Sequence, residues 1–301
     1  MNVFFYILLA CFWGCSFIAI KYTLELFPPF FAAFLRTSLT VLFLSLYIFI
    51  RRIPSPLHDI KTVLKWSWLS FFAFTIPWAT LFWGEQFVQP SMAGMINSAV
   101  PIFALCIGWV VIPADKISRM GVFGVFLGFI GMGFVFLPTI EMGVMHNQSF
   151  WGMIALLVMS LTYAINVVWT RKWGRKIDLA WVLWIQTLTS SIVLLLLSLL
   201  WGESYPSMET IQASPRSVLG ILYLAFCSTT LAMLFFYHLV HTWGAVKASS
   251  VNYGLPFVAI FVDYLVLKQL PSLFEWIGLV SIMLGLLLLH FYRQRKTKEV
   301  R

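Results

Sequence analysis

The sequence predicts an all-α, polytopic membrane protein whose ten transmembrane helices form two inverted repeats of five helices each. Three observations support this prediction. Hydrophobic residues make up 61% of the chain, charged residues make up 10%, and the mean hydropathy is +0.91. The apolar residues fall into runs of about 20, the length that a membrane-spanning helix needs. Two similar motifs, Asn97-Ser-Ala-Val-Pro101 and Asn252-Tyr-Gly-Leu-Pro256, lie 155 residues apart.

The apolar runs follow one another with short loops between them. The predicted spans are 4–20, 28–50, 65–84, 91–112, 119–138, 150–170, 179–201, 217–240, 246–267 and 271–292. Each is expected to be helical, because a chain in hydrocarbon must satisfy its backbone hydrogen bonds internally. Five is an odd number, so a second set of five spans enters the membrane in the opposite orientation. The first repeat is predicted over residues 1–143 and the second, with a short basic tail, over 144–301.

The distribution of basic residues predicts the orientation of the chain. The net charge is +9, and 16 of the 20 Lys and Arg residues fall in the tail, loops and span ends on the side of the N-terminus. This bias is typical of cytoplasmic loops, so we expect a multi-pass protein of the inner (plasma) membrane with both termini cytoplasmic. The charge is explained by topology, and a nucleic acid partner is not expected.

The cysteines and short motifs give no indication of a cofactor, a metal or catalysis. Cys11, Cys15, Cys106 and Cys227 all lie in predicted spans, without CxxC spacing and without a histidine cluster. The chain contains no HExxH, no GxSxG and no P-loop, so ATP-driven pumping through a P-loop is excluded. We therefore expect a protein that is not an enzyme.

The two Asn-Pro motifs are the most informative polar positions. A proline cannot donate a hydrogen bond to the carbonyl four residues back, and that carbonyl belongs to Asn97 for Pro101 and to Asn252 for Pro256. Each asparagine therefore combines a side-chain amide with a freed backbone acceptor at one level of a broken helix. Broken helices in both halves of an inverted repeat are typical of secondary transporters. The alternative is that each amide caps its own kink.

Further candidates come from the repeat and from charge within the spans. Trp13 and Ser16 match Tyr163 and Asn166 at an offset of 150 residues. Arg36 matches Gln186 at the same offset. Ionisable groups in a membrane usually face a partner or a water-filled cavity; a structural ion pair is the alternative. The candidate transport residues are Trp13, Ser16, Arg36, Trp78, Glu85, Asn97, Pro101, Tyr163, Asn166, Gln186, Asn252, Tyr253, Pro256 and Asp263.

The fifth span is rich in glycine. Gly124 and Gly128 form a GxxxG pair, which allows two helices to approach closely. Such a pair serves either internal packing or a homodimer face, and both interpretations stay open.

Taken together, these positions resemble a known family. Trp13-Gly-x-Ser16, Arg36 in the second span, the proline of the fourth span and the glycine-rich fifth span are similar to the EamA-type drug/metabolite transporters. The resemblance covers the whole chain as two tandem EamA units. It implies ten helices, a central cavity between the halves, and in many members export of amino acids or related small metabolites.

The chain departs from the family pattern at three positions. Ala114 and Gln269 stand where a glutamate is common, although Asp115 adjoins the first of them. Asp263 stands where a glycine is common, and its repeat mate Gly108 keeps the family type.

The function predicted from these features is secondary transport of a small-molecule substrate across the lipid bilayer by alternating access, with export of amino acids or similar metabolites favoured. A flippase for a lipid-linked substrate is one alternative. An intramembrane lipid-modifying enzyme is another, and it would need a cluster of histidine and carboxylate groups at one membrane face. A purely structural or receptor role would not explain why polar and proline positions recur across the repeat.

Overall fold

A computed structural model describes the protein over residues 2–112, 119–141, 148–173, 177–244, 248 and 250–299. Asp115, the predicted boundary between residues 143 and 144, and the basic residues Lys116, Arg175, Lys176, Lys247 and Arg301 lie outside the described residues.

Within these residues the chain forms ten long helices. They are α1 Asn2–Leu24, α2 Pro29–Arg51, α3 60–84, α4 Pro90–Val111, α5 Arg119–Glu141, α6 Gln148–Trp173, α7 Leu179–Trp201, α8 Pro215–Trp243, α9 Leu255–Leu267 and α10 Leu273–Glu299. Seven of the described helices are long and apolar enough to cross a membrane by length and composition, and the apolar parts of α9 and α10 are shorter. The prediction of an all-α, polytopic membrane protein is confirmed. A short helix, Met208–Ala213, lies between α7 and α8.

Helix α3 begins before the span predicted from hydropathy, and a capping residue explains the difference. The Asp59 side chain accepts hydrogen bonds from the Thr62 backbone N–H at 3.3 Å and from the Thr62 hydroxyl at 2.6 Å. These bonds stabilise the first turn of the helix and lower the pKa of Asp59. Hydropathy alone does not detect such a polar start, because the turn also contains Lys61.

The two halves of the chain are interleaved. Helix α1 packs along α8, and α3 packs along α6. A shift of five helices converts one of these pairs into the other. Helices α2 and α7, α4 and α9, and α5 and α10 are also in contact, so each of these helices packs against its own repeat mate. In addition, α4 packs along α6, and α3 packs along α7. Such a pattern is what an inverted repeat with an internal pseudo-two-fold axis produces.

The glycines of α5 lie in the contact with α10. A Cβ atom on Gly131 would lie 2.6 Å from the carbonyl oxygen of Gly278, and one on Gly285 would lie 2.5 Å from that of Gly124. Gly128 also faces α10 and packs against Ile102 of α4. These glycines permit close packing within one chain, and a homodimer through the Gly124/Gly128 face stays a prediction.

Four helical regions depart from regular α-geometry. Helices α3 and α8 each contain a π-helical turn, at Phe71–Thr75 and Phe226–Leu231. Helix α4 is broken between Asn97 and Val100, and α9 follows a 3-10 turn at Ser250–Tyr253. Pro101 and Pro256 are each the second residue of the helix that follows the break, where a proline loses little.

Helix α1 leads from one face of the bundle to the other, and hydrogen bonds place the starts of α2, α4 and α6 beside the ends of α7, α9 and α3, respectively. We call the face where α1 begins the terminal face and the opposite one the distal face.

Candidate functional site

Arg36 is a buried cation at the centre of the bundle. It lies on α2 with 5% of its surface exposed, and its guanidinium carbon stands 3.9 Å from the centre of the Trp78 ring. Nε donates to the Thr229 hydroxyl at 3.1 Å, and Nη2 donates to the Ser228 hydroxyl at 3.3 Å. Among the described residues, no carboxylate oxygen lies within 4.0 Å of the guanidinium. The charge is thus held by an aromatic face and two neutral hydroxyls, and no described residue pairs with it as a counter-ion.

The π-helical turn of α8 positions these two hydroxyls. Within it, the side chains of Thr229 and Thr230 donate to the carbonyls of Leu224 and Ala225, five residues back, at 2.8 and 2.9 Å. A π-helical turn widens the helix and disturbs the regular hydrogen-bond ladder, and such turns are frequent at functional sites. Ser228 and Thr229 are each 2% exposed, so both are directed into the interior.

Three aromatic residues complete the surroundings of Arg36. The Trp78 indole N–H donates to the Tyr163 hydroxyl at 2.6 Å, and the Trp13 indole N–H donates to the Ser228 carbonyl at 3.1 Å. Five helices therefore meet here, namely α1, α2, α3, α6 and α8. We call this group the Arg36 cluster; it comprises Trp13, Arg36, Trp78, Tyr163, Ser228 and Thr229.

Sequence reasoning identified four members of the Arg36 cluster but missed Ser228 and Thr229. One signal was available, because Ser228-Thr229-Thr230 is a run of three hydroxyl residues inside an apolar span. Trp78 is a weaker candidate from the sequence, since any one of the 14 tryptophans is more often a packing or interfacial residue. Its role becomes visible only when α2 and α3 are brought together.

Glu85 and Asp263 lie at the distal end of the bundle. Asp263 is 1% exposed, and its Oδ2 accepts a hydrogen bond of 2.7 Å from the Ser91 backbone N–H at the start of α4. Glu85 is 2% exposed. In the part of the chain that the structure describes, Oδ1 of Asp263 and both carboxylate oxygens of Glu85 have no hydrogen-bond partner. The charges of Asp263, Lys21 and Arg36 act on Glu85. Among the described residues, neither carboxylate forms an ion pair within 4.0 Å.

The two asparagines of the Asn-Pro motifs are half-buried, and their amides bind no other described residue. At the break in α4, hydroxyl groups bind two carbonyls that also accept backbone N–H groups. Ser160 of α6 donates to the Ile96 carbonyl at 3.0 Å, and Ser98 donates to the Met95 carbonyl. The amide of Asn97 therefore does not cap its own kink.

The other predicted residues are more dispersed. The Ser16 hydroxyl donates to the Trp13 carbonyl at 2.6 Å, and Asn166 accepts from the Thr170 hydroxyl at 3.3 Å, so both make local bonds. Gln186 is 4% exposed and hydrogen-bonds to no other described residue. Tyr253 packs against the main hydrophobic core.

A separate groove lies between α2 and α7 near the terminal face. It has a volume of about 780 Å³ and is lined by Ser45, Ile48, Phe49, Ile50, Arg52, Ile53, Trp181 and Trp184. The Trp184 indole N–H donates to the Ser45 hydroxyl at 2.7 Å. The groove contains none of the candidate residues. In the described part of the chain, no three His, Cys, Asp or Glu residues are grouped so that they could hold a metal ion.

Comparison with known proteins places the chain among membrane transporters. The model of the EamA-like transporter family matches residues 1–137 and 150–291. A protein of Buchnera aphidicola subsp. Schizaphis graminum, named as an uncharacterized transporter, is 27% identical over 280 residues, which cover 92% of this chain and 89% of that protein. The transporter YvbV of Bacillus subtilis is 25% identical, over 92% of this chain and 88% of its own length.

More distant matches agree with these. The inner membrane transporter YedA of Escherichia coli K12 is 22% identical, over 92% of this chain and 86% of its own length. A protein crystal structure superposes with a TM-score of 0.63 at 14% identity, covering 95% of this chain and 96% of that one. At this identity the structural match concerns the fold alone.

Proposed function

Since the chain belongs to the EamA-like transporter family and is a multi-pass membrane transporter, we propose that it is a secondary exporter of amino acids or related small metabolites. It would lie in the inner membrane with both termini in the cytoplasm, and it would carry out no catalysis. Movement of one repeat against the other would expose a central site alternately to the two sides. The resemblance to the family supports export, and the inner membrane location of YedA supports the membrane.

The single observation behind the proposed substrate class is the unpaired charge of Arg36. A buried charge is costly unless it is paired, so a site of this kind favours a ligand that supplies the missing anion. One face of the guanidinium is covered by Trp78, and two of its nitrogens donate to hydroxyls of α8. Nη1 donates to no described residue, which leaves it for a carboxylate. Charge-assisted bonds from arginine to carboxylates are among the strong hydrogen bonds in proteins.

The remainder of the site suits the rest of such a molecule. Trp13, Trp78 and Tyr163 provide an aromatic wall beside the guanidinium. Asn97 and Asn252, whose amides bind no other described residue, are the further polar groups that we propose to contact the substrate, one in each repeat. An apolar wall with a few convergent polar groups is the usual composition of a small-molecule site.

The test is uptake of a radiolabelled amino acid pool by the purified protein in liposomes. We expect saturable flux in the wild type and its loss in Arg36→Gln. Arg216→Gln is the matched control, because Arg216 is exposed and lies 4.1 Å from the centre of the Tyr22 ring, so it too stacks on an aromatic side chain. Equal flux in Arg36→Gln and the control would contradict a role of Arg36 in binding.

Direction is tested separately with a deletion strain. Export predicts that the strain is hypersensitive to toxic amino acid analogues, and restored expression should remove the sensitivity. Resistance of the deletion strain would indicate import instead.

One observation favours a flippase for a lipid-linked substrate as the second candidate. The groove between α2 and α7 is flanked by Phe49 and Ile50, which are 80% and 66% exposed towards the surroundings of the bundle. A long acyl or isoprenoid chain needs such a lateral opening. If no amino acid moves although the protein is folded, translocation of a fluorescent lipid-linked sugar in the same liposomes is the next measurement.

A further inference from the structure

The carboxyl group of Glu85 is the most unusual buried group that the proposed function leaves unused. Glu85 directly follows α3 at the distal face, is 2% exposed, and receives no hydrogen bond from a described residue at either oxygen. An ionised carboxylate is strongly disfavoured in such a position, because it loses water and gains no donor. The neutral acid is far less disfavoured, so the surroundings favour a bound proton.

Close packing keeps water from this end of α3. A Cβ atom on Gly84 would lie 2.8 Å from the carbonyl oxygen of Gly152, which places the backbones of α3 and α6 in direct contact. Phe82 and Val88, on either side of Glu85 in the chain, are 0% and 7% exposed. A separation of α3 from α6 would open this contact and expose the carboxyl group.

The charged groups around Glu85 come from three other helices. They are Asp263 of α9, Lys21 of α1 and Arg36 of α2. The nearest residues of α6 at Gly84 are Gly152 and Leu156, and the nearest residue of α4 at Asp263 is Ser91, the second residue of that helix. None of these three residues carries a titratable side chain. A negative neighbour disfavours ionisation of Glu85, whereas the two cations favour it without being close enough to pair with it in this state.

Asp263 differs from Glu85 in one respect that separates their roles. It accepts a hydrogen bond from the Ser91 N–H at the start of α4, where the helix dipole also favours a negative charge. Two nearby carboxylates rarely ionise together. The geometry therefore gives the charge to Asp263 and the proton to Glu85.

We propose that Glu85 is the proton-binding site of the transporter and that its proton moves together with a substrate bound at Arg36. This inference rests on the proposed function for its second half only. While Glu85 is neutral, Arg36 has no competing anion and can bind the carboxylate of a substrate. When the empty carrier opens, Glu85 ionises by releasing its proton to water, and its charge then compensates Arg36 during the return.

The first test needs no substrate. Infrared spectroscopy of the purified protein at pH 7 should show the carbonyl stretching band of a protonated carboxyl group, which Glu85→Gln removes and Glu25→Gln, an exposed control at the end of α1, retains. Asp263→Asn should also retain it. Absence of the band in the wild type, or its persistence in Glu85→Gln, would overturn the proposal. If the Glu85→Gln variant does not fold, the presence or absence of the band in the wild type still tests the proposal.

The second test uses the amino acid that the wild type transports. Downhill efflux from liposomes should carry protons outward, detected with a pH-sensitive dye. Glu85→Gln mimics the protonated state, so it should lose net efflux while exchange of labelled for unlabelled amino acid persists. Net efflux without proton movement would refute co-transport. If no amino acid is transported at all, the proposed function is wrong. The infrared measurement still tests independently whether Glu85 is protonated.

Discussion

The two π-helical turns, Phe71–Thr75 in α3 and Phe226–Leu231 in α8, begin 155 residues apart and share their hydroxyl contacts. The Thr40 hydroxyl of α2 contacts the Ala225 carbonyl at 3.4 Å. At the related position in α7, the Ser190 hydroxyl contacts the Ser70 carbonyl at 3.5 Å. In both halves a hydroxyl from the neighbouring helix thus meets the carbonyl just before the widened turn.

The side chains beside the two turns differ. Arg36 donates to Ser228 and Thr229 next to the turn of α8, whereas its repeat mate Gln186 hydrogen-bonds to no other described residue. The positions of α3 that match the two hydroxyl residues are Ala73 and Phe74. The backbone arrangement is therefore present in both repeats, whereas the arginine with its two hydroxyl partners is found at the turn of α8. In the proposed mechanism, the symmetry would serve the conformational change, and the one-sided charge would give the site a single orientation for its ligand.

The largest effect is expected when the charge is moved from one turn to the other. The double variant Arg36→Gln/Gln186→Arg should transport no better than Arg36→Gln alone, because Ala73 and Phe74 offer no hydroxyl to an arginine at position 186. A loss of about 100-fold in kcat/KM is expected for both, since a bond to a charged group contributes about 1.5–3 kcal/mol. Liposome flux measures it, and recovery of transport in the double variant would show that the two turns are equivalent.

A smaller effect is expected from the hydroxyl groups that hold Arg36. Ser228→Ala and Thr229→Val each remove one acceptor of the guanidinium and should raise KM about tenfold, by the same estimate for a bond to a charged group. Thr75→Val is the control, because the Thr75 hydroxyl bonds to Ser190 at 2.9 Å and not to a charged group. A KM as high in the control would mean that turn geometry, and not the charge, governs binding.

The hydroxyl contacts shared by the two turns should contribute equally to stability. Thr40→Val and Ser190→Ala each remove a contact with a carbonyl beside a π-helical turn, which we expect to cost about 1 kcal/mol of unfolding free energy. Thermal unfolding in detergent measures both variants against the wild type. A loss of stability in one variant only would mean that the two contacts contribute differently to the free energy of unfolding, although their geometry is similar.

The smallest effect is expected from Gln186. Gln186→Leu has a similar size and breaks no hydrogen bond to a described residue, so flux and KM should stay within about threefold of the wild type, an energy difference below 1 kcal/mol. The same liposome flux assay measures both quantities. A loss comparable to that of Arg36→Gln would assign Gln186 to the substrate.

Sequence predicted the all-α, polytopic fold well, because the length of the apolar runs follows directly from membrane physics. The orientation expected from the basic residues stays a prediction. The sequence also predicted the break at Asn97 and Pro101, since a proline lacks the backbone N–H and therefore interrupts a helix at a position that the sequence shows directly. The π-helical turns contain no proline, and one inserted residue changes the apolar pattern too little to be noticed. The role of Trp78 is equally hard to predict from the sequence, because it depends on contact with the Arg36 guanidinium of another helix.

The interleaving of the repeats has a consequence for biogenesis. Ser228 and Thr229, which bind Arg36, follow it by 192 and 193 residues. At a synthesis rate of roughly 5–20 residues per second, α8 leaves the ribosome about 10–40 s after α2. During that interval a charged side chain resides in the nascent bundle without its final acceptors, so the first half must be sheltered by the insertion machinery or by headgroups until the second half is made.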